Sequence, residues 1–331
     1  MGEIRRLTLT RFKQILQRQS PPAFGRHYDP AIRATRTEAP ARSRPAQVWS
    51  ALLQRYIHTL SEAERKVLMI VLYCPWLFEL QEQRMLAYLP APHPLTGHPR
   101  AAGLSLPGFR GTLIVAEELG ALRHHPVLTV DGPEALTSDG TPMREPACWI
   151  GDYLLYLADD NGPFCVNLNV KATAAGFKRS DDTNGSHEDS VIPDPKVELR
   201  HTAEAIYYQD AGITTHQVAA NTIDDIVVEN LKVVMHWATP ASRLPEDCRA
   251  SIVEAFLYGM DGGSPPLEVM RALKLDQGLD EQDIKSAFYR GIYQRKIRVD
   301  LFMPVLFDAP LALEKVDVLE LYKHWFRRSG S

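Results

Sequence analysis

One stretch constrains this chain more than any other: Trp149 to Phe177, WIGDYLLYLADDNGPFCVNLNVKATAAGF. Two runs of β-forming residues flank the polar segment Ala158-Asp159-Asp160-Asn161-Gly162-Pro163, and its Asn-Gly pair is of the kind that closes hairpins. Along the second run, Cys165, Asn167, Asn169 and Lys171 fall on one side, and Val166, Leu168 and Val170 on the other. Asn169 and Lys171 therefore share a face, and a hairpin of this length brings both near Asp152 at the start of the first strand. A carboxylate on one strand can hold a divalent cation. A lysine on the partner strand can activate water or steady charge on a phosphate. Short patterns of this kind arise cheaply by chance, so the flanking residues must carry part of the reading.

Upstream lie Phe109-Arg110-Gly111, a helical run Thr112–Leu122 and the step His125-Pro126-Val127-Leu128. Downstream come Glu204–Ile213 with the ending Gly212-Ile213, a strand-like Thr215–Ala220, and Asn230-Leu231. With Asn169-Val170-Lys171 where Glu/Asp-x-Lys usually stands, the hairpin has the layout of the PD-(D/E)XK nucleases. The order of the flanks resembles the TnsA family, the endonuclease subunit of Tn7-like heteromeric transposases. The resemblance covers roughly residues 105–310.

The resemblance implies a restriction-endonuclease-like α/β fold: a mixed-sheet core, an N-terminal helical unit and a C-terminal winged-helix-like domain. It implies Asp152 as the main metal ligand, Lys171 as the catalytic lysine, and Asn169 in the place of the family's Gln. The family's helical metal-binding Glu would be Glu117 or Glu118, although the usual Ser-x-x-Glu opening is absent there. Helical geometry leaves the two open: Glu118 shares a face with Ile114 and Leu122, while Glu117 lies four residues from both Leu113 and Ala121. Glu118 is favoured slightly, with Asp152, as the metal pair, because a ligand must project inward from a buried face. The implied cofactor is Mg²⁺, with Mn²⁺ as a substitute. The implied partners are double-stranded DNA at transposon ends, an integrase-class transposase subunit and an AAA+ ATPase regulator.

At 331 residues the chain is long for one domain. Residues 1–45 hold ten Lys/Arg against three Asp/Glu and read as a basic flexible arm. Residues 46–104 read as a helical region, with helices around Val48–Ile57, from the capping box Ser61-Glu62-Ala63-Glu64 to Tyr73, and over Trp76–Leu89. Residues 105–239 form the nuclease domain, with a mobile polar loop at 178–198. Residues 240–331 form the winged-helix-like domain: helices at about 245–258, 266–273 and 280–291, a strand pair at 297–301 and 305–307, and a tail helix at 314–327. Arg290, Arg295, Lys296 and Arg298 cluster where helix would meet wing and are candidates for DNA or partner contact.

Other chemistries find little support. His93, His98, His124 and His125 lack the helical i,i+4 pairing of a metalloprotease, and the four cysteines lie far apart, as reduced thiols of a cytoplasmic protein do. No apolar run approaches the roughly 20 residues of a membrane span. There is no Walker A motif, no Gly-x-Ser-x-Gly and no dinucleotide fingerprint. The expected function is a Mg²⁺-dependent DNA endonuclease that hydrolyses the non-transferred strand at transposon ends beside a separate transposase subunit. The alternatives are a stand-alone defence nuclease and a catalytically decayed nuclease fold bridging DNA and protein.

Overall fold

The computed structural model describes residues 7–41, 43–129, 144–178, 194–238 and 242–328. In chain order the elements are α1 (Leu9–Gln19), β1 (Ala46–Ser50), β2 (Arg55–Thr59), α2 (Glu62–Tyr73), β3 (Leu77–Met85), α3 (Thr112–Glu118), β4 (Val127–Thr129), β5 (Arg144–Pro146), β6 (Ile150–Asp159) and β7 (Gly162–Lys171). They continue with α4 (Pro195–Asp210), β8 (Thr214–Ala219), α5 (Asp225–Ala238), α6 (Glu246–Asp261), α7 (Pro266–Gln277), α8 (Glu281–Tyr293) and α9 (Val318–Leu321). The fold is mixed α/β around a four-stranded sheet of order β3-β6-β7-β8, in which only the β7–β8 pair is parallel.

The expected hairpin is present as β6–β7. It turns at Asp160-Asn161, with Asp159 paired to Gly162. Gly162 has φ +99°, a conformation open to glycine at little cost. Alternation then sorts the two strands. Tyr153, Leu155, Leu157, Val166, Leu168 and Val170 join α2 and α5 in one core. Leu154, Tyr156 and Cys165 pack with Ala203, Tyr207 and Tyr208 of α4 in another. Helices thus cover both faces of the sheet.

Three expectations are corrected. The basic segment is no extended arm: α1 buries Phe12 and Ile15, and Arg18 grips both oxygens of Glu38 at 2.8 Å. Arg33 pairs with Asp29 in the same segment, so acids within it neutralise part of its charge. Phe12 and Ile15 stand at the i, i+3 spacing of one helix face.

The helical reading of 46–104 holds only for α2. Val48 and Ile57 belong to a β1–β2 hairpin, and Trp76–Leu89 contains β3. Leu77-Phe78-Glu79-Leu80-Gln81-Glu82-Gln83-Arg84-Met85 is made largely of good helix formers, yet tertiary partners override that preference. Arg55 forks Glu82 at 2.8 Å twice and donates to Leu80 O at 2.6 Å. The outer side of β3 is further closed by Ala31 N–H to Gln83 O at 3.0 Å and Tyr28 OH to Glu82 O at 2.7 Å. A covered edge cannot pair with another chain.

In the C-terminal part, the three helices are found as α6, α7 and α8, but the strand pair at 297–301 and 305–307 is not. Only an isolated bridge joins Val299 to Leu313. The intervening backbone bonds elsewhere: Asn230 of α5 donates to Leu301 O and Met303 O and accepts from Val305 N–H, and Phe307 O accepts from Leu267 N–H. The tail is the short α9 followed by a 3₁₀ turn, Lys323–Phe326. Of the loop at 178–198, residues 179–193 lie outside the described residues, while Asp194–Glu198 form the cap and first turn of α4. The four cysteines are free thiols, three of them buried. Among the described residues, no helix is long and apolar enough to cross a membrane.

Candidate active site

β6 and β7 are zipped together from Asp159↔Gly162 to Tyr153↔Leu168, and there their pairing ends. Each continues with its outer neighbour, β6 with β3 to Ile150 and β7 with β8 to Lys171. The two central strands therefore part at one end of the sheet. At the parting, Asp152 Oδ2 accepts the Val170 N–H at 2.7 Å, so a side chain takes the place of a ladder carbonyl. Lys171 follows, half-buried, as the last residue of β7.

Asn167 and Asn169, on the side of β7 facing α4, are buried and mutually bonded at 3.3 Å. Asn167 also reaches Thr215 Oγ1 at 3.3 Å and Glu204 Oε1 at 3.4 Å, and Asn169 approaches His201 Nδ1 at 3.5 Å. Burial pushes the Glu204 carboxyl up to about 7, with the Arg200 guanidinium pulling it back and Asp152 adding to the rise. Burial, then the Arg200 and Lys171 cations, lower His201 to about 4. Groups whose charged forms are disfavoured by burial thus lie on the α4 side of the sheet near Asp152 and Lys171.

The carboxylate that joins Asp152 comes from α2. Glu64 is buried and closes a capping box: Ser61 Oγ accepts its N–H at 3.1 Å, and its Oε1 accepts from the Ser61 hydroxyl at 2.9 Å. Its Oε2 accepts from Leu60 N–H at 2.8 Å and from Gln83 Nε2 at 3.0 Å. Gln83 lies on β3 between the pairs Glu82↔Tyr153 and Arg84↔Gly151, next to Asp152, in a left-handed conformation with φ +47°. For a non-glycine residue that strain costs on the order of 1 kcal/mol and needs a supporting environment. Burial first, and then the facing Asp152 carboxylate, push the Glu64 carboxyl up to about 8, while the Leu60 and Ser61 bonds and the Lys171 ammonium hold it down.

Glu117 and Glu118 are not brought to this cluster. α3 buries Thr112, Val115 and Ala116, which turns both glutamates outward. Glu118 pairs with Arg110 at 2.5 Å, and Arg110 also holds Asp210 at 2.9 Å. The face of Ile114 and Leu122 on which Glu118 was placed is exposed, at 39% and 47%. The missed signal was Ser61-Glu62-Ala63-Glu64, which has the Ser-x-x-Glu form absent around Glu117 and Glu118 but reads equally well as a plain helix cap.

The C-terminal cations are engaged within the chain. Arg295 and Arg298 both pair with Asp317, Arg298 also with Glu314, and Lys296 lies 3.9 Å from Glu246. Arg290 is half-buried on α8. The histidines are also occupied: His93 Nδ1 accepts from Leu95 N–H, His98 Nδ1 from Arg100 N–H, and His125 bonds Thr112 and Pro126.

Asp152 and Lys171 lie at one end of the sheet, and Glu64 of α2 is tied to Gln83 of β3 beside Asp152, close enough to feel both charges. Mg²⁺ is commonly held by one or two protein carboxylates, with water completing its shell. Among the described residues no group of three His, Cys, Asp or Glu forms a metal cage. Glu64 and Asp152 supply such a pair of oxygen donors, and the charge of a hydrated Mg²⁺ would favour the ionised form of Glu64. The sequence matches no protein-family model and no curated protein.

Proposed function

We propose that this chain is a Mg²⁺-dependent DNA endonuclease, acting as the strand-cleaving subunit of a Tn7-like transposase. The observation that supports the reading is the placing of Asp152 and Lys171 where β6 and β7 part, with Glu64 bonded to Gln83 beside Asp152. Asp152 and Glu64 would hold the ion, which when bound polarises a phosphoryl oxygen and lowers the pKa of a bound water. Lys171 would set an ammonium beside the charge that builds on the phosphate. Asn167 and Asn169, tied to α4, keep the β7 face in register under Lys171. The subunit role, with a separate transposase making the other cuts and an ATPase regulating both, rests on the resemblance of the hairpin and its flanks.

The test is cutting of DNA carrying the transposon ends, with Mg²⁺ and the transposase partner, by wild type, Asp152→Asn and Lys171→Ala. Asn keeps an acceptor for the Val170 N–H while removing the charge. Each variant is expected to lose cutting of the non-transferred strand by a hundredfold or more, on the order of one lost electrostatic group, with joining by the partner intact. Variants that cut like wild type would leave Asp152 and Lys171 with only a structural part in the sheet.

A second reading is a nuclease fold that only bridges DNA and protein. It is favoured by one observation: both Glu64 oxygens already accept bonds from Leu60, Ser61 and Gln83. Wild-type protein that binds end DNA but never cuts it, with Mg²⁺ or Mn²⁺, would establish that reading.

A further inference from the structure

A concavity of about 340 Å³ opens beside the strand that carries Asp152. Its wall includes Arg123, His124, Trp149, Lys196 and Arg200, and no carboxylate lines it among the described residues. For a chain whose acids outnumber its Lys and Arg, 41 against 37, such a one-signed lining is informative. Arg200 is anchored from behind: its Nη2 donates to Ile150 O at 2.7 Å, two residues before Asp152. Its Nε is buried with no hydrogen-bond partner among the described residues. Trp149 is half-buried, with its ring centroid 4.8 Å from that of His125. The four basic groups come from two separate places, Lys196 and Arg200 from α4 and Arg123 and His124 from the turn after α3.

Cations gathered around an aromatic side chain suit a nucleic-acid strand, which offers a phosphate to the charges and a base or sugar face to the ring. We propose that this concavity seats the DNA strand flanking the scissile phosphate, with a backbone phosphate between Arg123, Lys196 and Arg200 and a nucleoside against Trp149. The proposal rests on the nuclease reading above and names the part of the protein that holds its substrate. Its position fits: the strand enters over Trp149 and Ile150 and reaches Asp152 within three residues.

The experiment uses the full chain and a fluorescein-labelled DNA duplex in EDTA, so that binding is read without cutting. Anisotropy is followed over a salt series for wild type and for the Arg123→Ala/Lys196→Ala double variant. Both side chains are exposed, so the fold should tolerate their truncation. The expected result is an affinity lowered roughly tenfold at low salt. The slope of log K against log salt should become shallower by about 0.9 for each cation removed. Trp149→Phe should bind as wild type, and Trp149→Ser should bind more weakly with the wild-type salt slope. A double variant with wild-type affinity and slope would overturn the proposal. If Asp152→Asn still abolished cutting in that case, the nuclease reading would survive without this subsite. Wild-type protein with no measurable affinity for DNA would overturn both.

Discussion

Glu64 and Glu204 show how one environment treats carboxyl groups reached from different elements. Both are buried, both carry a carboxyl raised above its ordinary range, and both feel Asp152. For Glu204, the folded protein holds its proton more tightly than the unfolded chain does. The stability that this confers is complete below the ordinary value of 4.5 and is lost as pH rises through about 7. Glu204→Gln, which keeps an acceptor for Asn167, should therefore change stability little in acid and raise it at alkaline pH by up to about 3 kcal/mol. Urea unfolding of both proteins across that range checks the sign; a variant less stable at alkaline pH would contradict it. That Asp152 lies near the end of β7 could be read from sequence because both belong to one hairpin, where period two and a tight polar turn fix which side chains share a face. Glu64 could not be read in the same way, since nothing local says that a helix cap far upstream folds back onto that hairpin.

Among the elements, β6, β7 and β8 were legible because strand-forming runs flank a tight polar turn and period two sorts their side chains to the two faces of the sheet. β3 was not, because its composition favours a helix and what makes it a strand is tertiary: the ladder with β6 on one side and Arg55, Tyr28 and Ala31 on the other. Truncating Arg55 should leave Glu82 buried without its cation and cost about 3–5 kcal/mol. A chemical denaturation series on Arg55→Ala reads that loss, and a variant within 1 kcal/mol of wild type, roughly, would show that solvent reaches the pair. α1 tells the same story: Arg18 meets Glu38, and Ile15 is 1% exposed. Ile15→Ala should cost about 2–5 kcal/mol by the same measurement, as for other large-to-small core changes, whereas an extended arm would tolerate it.

For the whole molecule, what matters is where charge is left available. The cations after α8 are held by Asp317, Glu314 and Glu246, while those around Trp149 have no acid in their wall. Arg298→Ala should therefore lower stability slightly, by under about 1 kcal/mol for a partly exposed pair, and leave DNA affinity unchanged. Thermal melting and anisotropy together check this; an affinity loss with an unchanged melt would move the DNA contact to the C-terminal helices. The sheet brings α2, β6 and β7 together at one end, and in the proposed nuclease the helical carboxylate of the site is Glu64 of α2. The direct measurement is Mg²⁺-dependent cutting of transposon-end DNA by Glu64→Gln and Glu118→Gln, with melts confirming that both variants fold. Glu64→Gln is expected to lose cutting by a hundredfold or more, on the scale of one electrostatic group, and Glu118→Gln to cut as wild type. Loss in Glu118→Gln with full activity in Glu64→Gln would contradict this and return the metal pair to α3.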